Sequence, residues 1–282
     1  MGDARFGWLV SYPKSGNTWM RMMLASLLAG GAEIDINQIA HDCSVASFAE
    51  MDEFLGVESS ELTCQEIADA RPALHAEILA CSSSPLLLRK VHDRYWRTAS
   101  GQPAFSGTVT RGAVYLVRDP RDVAVSYAHH RGLPVDEIIR MMTDPTVELA
   151  RAQHSCKRQL PQPLGTWSGH VSSWMEQREL PVLVLRYEDL KTDPQAGLRA
   201  AAKLLGIAAN EEQIQAAVKA TEFEVLRAQE AAAGFRERRP ESTAPFFRRG
   251  VAGDWRGSLS PSQQERIVAD HHEMMERFQY LG

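Results

Sequence analysis

The sequence has few cysteines and no long apolar run. Four cysteines occur among 282 residues, and no two of them form a C-x-x-C pair. We therefore expect reduced thiols rather than a structural zinc site or a disulfide-rich secreted domain. No apolar run reaches the ~20 residues of a membrane span, and the first residues lack the pattern of a signal peptide. These features predict a cytoplasmic protein that does not enter a membrane.

The sequence also lacks an excess of positive charge. Its 31 lysine and arginine residues are outnumbered by 36 aspartate and glutamate residues, which gives a formal net charge of −5 at pH 7. This balance does not favour nucleic acid or an anionic membrane as a partner, so any anion site must be local. The composition, 44% hydrophobic and 24% charged, excludes disorder as the main state.

Short apolar stretches alternate with helical patterns along most of the chain. Apolar runs without helical periodicity predict buried strands at 7–12, 85–90, 113–117 and 181–186. Helical patterns lie between and after them, at 18–29, 65–80, 120–131, 137–142, 167–177, 194–205, 211–220, 222–232 and 261–278. The alternation predicts one α/β domain over residues 1–282, with a central parallel sheet flanked by helices.

The turn after the first predicted strand is rich in groups that bind phosphate. It reads Tyr-Pro-Lys-Ser-Gly-Asn-Thr-Trp over residues 12–19. The proline and glycine alone indicate a simple strand-to-helix turn. The side chains add one cation and three neutral donors to the free N–H groups of a helix N-terminus: Lys14, Ser15, Asn17 and Thr18. The segment therefore predicts a strand-loop-helix phosphate site like that of P-loop kinases, although Lys14 precedes Gly16 and the Walker A pattern is not met.

A second candidate anion site follows the third predicted strand. Asp119 and Pro120 are typical of a helix start and need no other explanation. Helix capping does not explain Arg118, which ends the strand where ligands of open parallel sheets bind. Nor does it explain Ser126 in the following helix, on the same face as Asp122.

Two adjacent arginines near the end of the chain form a third candidate. Arg248 and Arg249 stand beside Gly250, with aromatic residues close by in the sequence. Adjacent arginines are usually just solvated, but this arrangement also suits forked recognition of phosphate.

One of the nine histidines stands out by its position. His92 ends a predicted strand two residues after Lys90, at the sheet edge where the other motifs converge. A neutral imidazole there, with a reference pKa of about 6.5, can accept a hydroxyl proton. The adjacent histidine pairs at 129–130 and 271–272 lack the i, i+4 spacing of zinc ligands, so we predict no metal site.

In order and spacing, these motifs resemble those of the soluble sulfotransferases that use 3′-phosphoadenosine-5′-phosphosulfate (PAPS), most of all their bacterial members. The family's first signature, Tyr-Pro-Lys-Ser-Gly-Thr-Thr-Trp, matches residues 12–19 except at Asn17. Its closing signature, Arg-Lys-Gly-x-x-Gly-Asp-Trp-Lys, matches residues 248–256 with Arg249 and Arg256 in place of lysines. The similarity extends from about residue 7 to the end of the chain.

The resemblance implies catalytic roles for four residues. The family's lysine that binds the 5′-phosphate and the leaving oxygen falls on Lys14, and its catalytic base falls on His92. Lys90 matches the lysine that supports the reacting group. Ser126, eight positions after Arg118, is expected to restrain Lys14 until both substrates are bound.

The resemblance also implies the residues that bind the donor nucleotide. Arg118 and Ser126 are expected to hold the 3′-phosphate. Tyr187 is expected to reach the adenine, and Thr221 and Phe223 to hold the purine. The full predicted set is Lys14, Ser15, Gly16, Asn17, Thr18, Trp19, Arg118, Ser126, Tyr187, Thr221, Phe223, Arg248, Arg249 and Gly250.

The activity implied is transfer of a sulfuryl group from PAPS to the hydroxyl group of a small molecule, without a metal, releasing adenosine 3′,5′-bisphosphate (PAP). The variable segments at about 32–85, 136–164 and 229–247 are expected to form the acceptor pocket and a lid. Aromatic candidates for an apolar acceptor pocket are Tyr95, Trp96, Phe105, Phe246 and Phe247. The acceptor and the oligomeric state stay open, and a homodimer is one option.

Two other functions fit part of the sequence. A nucleotide-dependent kinase would share the strand-loop-helix cradle, but it would also need a carboxylate and Mg²⁺, and Lys14 does not stand at the Walker A position. A non-catalytic nucleotide-binding regulatory protein would keep the donor site, but it would need neither Lys90 nor His92.

Overall fold

A parallel sheet lies at the centre of the computed structural model, which describes residues 4–42, 47–150, 159–239, 242 and 244–281. The described strands are β1 (Arg5–Ser11), β2 (Leu86–Val91), β3 (Thr110–Val117), β4 (Glu148–Leu149), β5 (Gln162–Pro163) and β6 (Val182–Arg186). The sheet has the order β2-β1-β3-β6, and β4 and β5 form a separate antiparallel pair. The four predicted strands of the parallel sheet are confirmed.

Helices connect the strands and follow the last one. They are α1 (Asn17–Leu28), α2 (Ile36–Asp42), α3 (Phe48–Leu55), α4 (Cys64–Ala80), α5 (Pro120–Arg131), α6 (Val135–Thr143), α7 (Trp167–Glu176), α8 (Tyr187–Thr192), α9 (Pro194–Leu205), α10 (Glu211–Ala220), α11 (Phe223–Ala233) and α12 (Pro261–Arg277). The α5 and α9 helices begin and end where the sequence predicts. Asp119 and Asp193 cap their N-termini, and Gly132 and Gly206 end them in the left-handed conformation.

Each face of the sheet packs against its own group of helices. On one face, Trp8 and Tyr115 belong to a cluster with Trp174. On the other face, Leu9 belongs to a cluster with Leu198. Successive strand residues point to opposite faces, so strands covered on both sides read as continuous apolar runs. The first face is covered by α5, α6, α7 and α12, and the second by α1, α9 and α10.

The sequence patterns do not predict α2, α3, α8 or the β4–β5 pair. These helices have seven, eight and six residues, too few for a helical period to stand out. The α3 helix does carry a local signal, since Ser47 and Glu50 form a capping box.

The cysteines fall into two groups. Cys64 and Cys81 are free and exposed. Cys43 and Cys156 lie outside the described residues, as does the whole segment 151–158. Among the helices that the structure describes, none is long and apolar enough to cross a membrane.

A buried ion pair fixes the chain just beyond β2. Arg71 Nη1 donates to Asp93 Oδ1 over 2.6 Å, and the two side chains are 3% and 0% exposed. Arg71 also donates to the carbonyl of Pro161 at 3.2 Å, and Trp174 Nε1 donates to the carbonyl of Asp93 at 2.9 Å. Arg71 and Trp174 thus hold Asp93, the residue that follows His92, by its side chain and its backbone.

Replacing one partner of this pair should destabilise the fold. Arg71→Met leaves the Asp93 carboxylate buried without its counter-ion, which should lower the free energy of unfolding by about 3–5 kcal/mol. Urea unfolding followed by circular dichroism measures the change. Arg199→Met, at an exposed ion pair with Glu211, is the control and should leave the transition in place. An unchanged midpoint in Arg71→Met would contradict the prediction.

Candidate active site

A cavity of about 820 Å³ opens where the carboxyl ends of β1, β2 and β3 meet. Its lining includes Lys14 after β1, His92 after β2 and Arg118 after β3. Of the site residues predicted from the sequence, all line this cavity except Ser15 and Thr221. The parallel sheet thus brings together motifs that are far apart in the chain.

The loop between β1 and α1 has an unusual backbone. Lys14 has φ 71° and Gly16 has φ 100°, both in the left-handed region. A Cβ atom on Gly16 would lie 2.8 Å from Tyr187 Cδ2, so only glycine fits there. No side chain caps the N-terminus of α1. Its first N–H groups are therefore available to an anion.

Two polar side chains of this loop point inward. Asn17 Nδ2 donates to the carbonyl of Leu9 at 2.7 Å, which ties α1 to β1. Ser15 is fully buried, and its hydroxyl has no hydrogen-bond partner within the described parts of the chain. Ser15 does not line the cavity, so its hydroxyl cannot reach a ligand there without a movement of the loop.

The ammonium group of Lys14 lies among other cations. Its Nζ is 4.0 Å from the centre of the Phe246 ring. Burial lowers the pKa of Lys14 to about 7, and the charges of Lys90 and Arg118 contribute to the shift while Glu237 opposes it. Lys14 is therefore a cation that exchanges its proton near neutral pH.

Arg118 links three segments around the cavity. Its guanidinium donates to the carbonyls of Lys14 at 3.2 Å and Val251 at 2.9 Å, and it lies 4.3 Å from the centre of the Tyr187 ring. Asp122, one turn along α5, is 3.5 Å from the same guanidinium. The position of Arg118 is therefore set before any ligand binds it.

Asp122 has a role that the sequence does not reveal. Its carboxylate accepts hydrogen bonds from the backbone N–H groups of Gly253 at 2.7 Å and Trp255 at 3.0 Å. It fixes the segment that carries Arg248 and Arg249. Both arginines are paired with Asp254, whose pKa they lower below its ordinary value against the opposing effect of burial.

Aromatic side chains line one end of the cavity. Trp19 and Phe223 both face it. Trp19 Nε1 donates to the carbonyl of Thr221 at 3.0 Å. The Thr221 hydroxyl donates to the carbonyl of Ala217 at 2.7 Å, and the residue is fully buried. Thr221 therefore does not face the cavity, because its hydroxyl bonds to a carbonyl of its own helix. It contacts the lining only through its carbonyl, which binds Trp19.

The imidazole of His92 is held in one tautomer. Its Nδ1 lies 2.7 Å from the carbonyl oxygen of Ser11. Since a carbonyl only accepts, Nδ1 carries the proton and Nε2 keeps a lone pair. Burial lowers the pKa of His92 well below its ordinary value of 6.5, and the charge of Lys90 lowers it further. His170 Nε2 donates to the His92 carbonyl at 3.1 Å.

Two further charged residues at the cavity were not predicted. Glu237 follows α11, lines the cavity and contacts Lys90 Nζ at 3.3 Å. Arg21 of α1 lies behind it and contacts Glu237 at 2.5 Å. The sequence signal that could have revealed this pair is Arg21 itself, the one charged residue of α1, because a buried cation needs a counter-ion.

The other end of the cavity is more polar than expected. Its lining includes Tyr127, His130, Arg131, Gln159 and Gln162. Of the five aromatic residues expected to form an apolar pocket, Phe246 and Phe247 line the cavity. Tyr95 and Phe105 lie in the core beside the sheet, and Trp96 packs against this cluster. Phe105 makes an edge contact with Trp8, and Tyr95 packs against Phe105.

Across the ranges that the structure covers, no three histidine, cysteine, aspartate or glutamate side chains converge as metal ligands.

Residues 7–279 match the sequence model of the family described as "Sulfotransferase domain". The chain belongs to this family. It is 26% identical over 277 residues to rat Sulfotransferase 1 family member D1, covering 94% of this chain and 82% of the relative. It is 27% identical over 271 residues to dog Sulfotransferase 1A1, with the same coverage of 94% and 82%.

Two solved structures share the fold. Mouse sulfotransferase SULT7A1 complexed with PAP aligns with a TM-score of 0.59 and 22% identity, covering 96% of this chain and 84% of that one. Retinol dehydratase in complex with androsterone and the inactive cofactor PAP aligns with a TM-score of 0.61 and 19% identity, covering 98% and 81%. The predicted α/β fold and the predicted family are confirmed, and membership of the sulfotransferase family decides against the kinase alternative.

The tautomer and charge of His92 in this sulfotransferase can be measured directly. We expect Nδ1 to carry the proton and the ring to stay neutral at pH 6, because burial and Lys90 disfavour the imidazolium ion. Long-range ¹H–¹⁵N correlation spectra of histidine-labelled protein report both properties, and a His92→Asn sample assigns the signal. A ring that titrates near pH 6.5, or that carries its proton on Nε2, would contradict the arrangement.

Proposed function

We propose that this sulfotransferase transfers the sulfuryl group of PAPS to a hydroxyl group of a small molecule and releases PAP. One observation carries the proposal: a single cavity brings the Lys14 and Lys90 ammonium groups together with the Nε2 lone pair of His92. Cations beside a base are what in-line transfer of an anionic group to a hydroxyl requires.

The cavity suits the charges of the donor nucleotide. The uncapped N-terminus of α1 and Lys14 would hold the 5′-phosphate end. Arg118, Ser126, Arg248, Arg249 and Gly250 would hold the 3′-phosphate. A Cβ atom on Gly250 would lie 2.3 Å from Phe223 Cδ2, so no side chain fits at this position.

Aromatic residues would hold the purine. Trp19, Tyr187 and Phe223 line the cavity beyond the phosphate-binding groups, and Thr221 supports Trp19 through its carbonyl. Trp19 is our choice for the second face of the adenine, which the sequence resemblance leaves unassigned. The PAP named for the two structural relatives agrees with this use of the cavity.

His92 is the proposed general base. With Nδ1–H bound to the Ser11 carbonyl, Nε2 is the ring atom that can take the proton of the acceptor hydroxyl. The lowered pKa keeps the imidazole neutral at physiological pH. It is therefore in the reactive form throughout the neutral range.

The lysines are the proposed electrostatic catalysts. The Lys14 ammonium stabilises negative charge on the leaving phosphate oxygen, and Lys90 does so on the oxygens of the group in transfer. Ser126 lines the cavity and is proposed to restrain Lys14. A Lys14 pKa of about 7 also allows this residue to give a proton to the leaving phosphate.

The acceptor is proposed to bind at the polar end of the cavity. Two of the variable segments contribute to the lining there, 136–164 through Glu148 and Gln162 and 229–247 through Arg239. The described residues of 32–85 do not contribute to it. Amides and guanidinium groups favour a hydroxylated small molecule with polar substituents. Androsterone and retinol are the compounds named for the retinol dehydratase structures.

We also infer a bacterial type of sulfotransferase that acts in the cytoplasm as one domain. Asn17, Arg249 and Arg256 stand where the family signature has other residues. The free thiols of Cys64 and Cys81 suit a reducing compartment.

A His92 variant separates chemistry from binding. His92→Asn should lower kcat by about 10²–10⁴, because it removes the base, while PAP affinity is kept. Radiolabelled PAPS supplied with and without a panel of hydroxyl compounds measures transfer, and calorimetry measures PAP binding. His272→Asn, at an exposed histidine of α12, is the control. PAP binding without transfer in the wild-type protein would support the non-catalytic alternative.

PAP binding should be linked to the protonation of Lys14. At pH 8 most Lys14 side chains are neutral, since the pKa is about 7, and the phosphates raise this pKa on binding, so the complex takes up a proton. Calorimetry in two buffers of different ionisation enthalpy measures the uptake. Lys14→Met should abolish it and weaken binding by about 1.5–3 kcal/mol. Exposed Lys203→Met is the control. Equal uptake in wild type and Lys14→Met would refute the assignment.

A further inference from the structure

The Glu237 carboxylate joins the segment after α11 to two cations and a hydroxyl beneath it. Its Oε1 accepts a hydrogen bond from Arg21 Nη2 at 2.5 Å. Its Oε2 accepts from Lys90 Nζ and from Thr18 Oγ1, each at 3.3 Å. Each oxygen thus has its own partners, and the carboxylate cannot turn without breaking at least one of these contacts.

Arg21 lies buried behind the cavity lining, and its own helix contains no acidic residue to pair with it. Its side chain is 0% exposed, and its Nε and Nη1 atoms have no hydrogen-bond partner among the described residues. A buried guanidinium is tolerated only with a counter-ion, and Glu237 supplies it. The pair therefore fixes the Glu237 carboxylate from below.

We propose that Glu237 is a positioning residue for sulfuryl transfer, held by Arg21 and in turn holding the Lys90 ammonium at the cavity. The inference rests on the proposed function, which gives Lys90 its catalytic role. A lysine side chain has four rotatable carbon–carbon bonds, so an unanchored ammonium would sample many positions. Anchoring it removes that freedom before the reaction starts.

The same contact sets the charge of Lys90. The charged and titratable groups around its ammonium are Glu237, Arg21, Lys14, His92 and His130. Burial lowers the pKa of Lys90, Glu237 opposes that shift and Arg21 adds to it. Glu237 also raises the pKa of Lys14. Removing the carboxylate should therefore make both lysines lose their protons at lower pH.

Opposite shifts in two variants test the contact without any enzyme assay. Glu237→Gln should lower the pKa of Lys90, because the anion is lost. Arg21→Met should raise it, because a neighbouring cation is lost. The chain has only six lysines, so ¹³Cε-lysine spectra recorded against pH resolve them, and a Lys90→Arg sample assigns the signal. If Glu237 had only a structural role, the pKa of Lys90 would shift in the same direction in both variants or in neither.

Kinetics test the positioning role. Glu237→Gln should lower kcat by about 10- to 100-fold, the size expected when a catalytic group is slightly misplaced. The alkaline limb of the kcat profile should move to lower pH. PAP affinity at pH 6 should not weaken, because both lysines are then protonated and a negative charge has left the cavity. Glu224→Gln removes an exposed carboxylate of α11 and is the matched control.

The outcomes are distinguishable. An unchanged Lys90 pKa and kcat in Glu237→Gln would overturn this inference while leaving the proposed function intact. A parallel loss of kcat, PAP affinity and thermal stability would assign Glu237 to the fold alone. Absence of transfer by the wild-type enzyme would overturn the proposed function instead. If Arg21→Met does not fold, the Glu237→Gln and Glu224→Gln pair still decides the question.

Discussion

The guanidinium of Arg118 is the contact on which the arrangement of the cavity depends. It binds the carbonyl of Lys14 in the loop after β1 and the carbonyl of Val251 near the end of the chain, and it lies on the ring of Tyr187 after β6. A planar group with five donors can satisfy all of these partners at once. Arg118 is thus the residue that these three segments contact in common.

Carboxylates arrange the other cations of the site. Asp254 pairs with Arg248 and Arg249, and Glu237 pairs with Lys90. These pairs allow several positive charges to lie close together in a protein whose net charge is negative. Lys14 differs, because its ammonium lies over the Phe246 ring and its pKa is about 7. The cavity therefore combines cations that carboxylates hold in place with Lys14, whose charge changes near neutral pH.

The sequence predicts the central sheet because its strands are buried on both faces and bounded by turn residues. It also predicts the anion-binding motifs, since Lys14, Arg118 and the two adjacent arginines each follow a local pattern. It does not predict the contacts between motifs. Arg21 and Glu237 are 216 positions apart, so only the folded chain shows that they meet.

The same reason explains why the state of His92 could not be derived beforehand. Its place at the end of a strand is visible in the sequence. Its tautomer depends on the Ser11 carbonyl, 81 positions away on the neighbouring strand. The internal use of the Thr221 hydroxyl likewise follows from its position at the end of α10, where a helix carbonyl competes for it. Family resemblance identifies residues, and packing decides which of their atoms face the site.

At Lys14, the left-handed backbone makes stability and catalysis favour different residues. Glycine adopts a φ of 71° without strain, whereas a residue with a Cβ atom is strained there by about 1–2 kcal/mol. The substitution that would relax the loop is thus the one that removes the ammonium. Selection for stability alone would favour glycine at this position. A lysine is therefore kept there by selection for catalytic turnover.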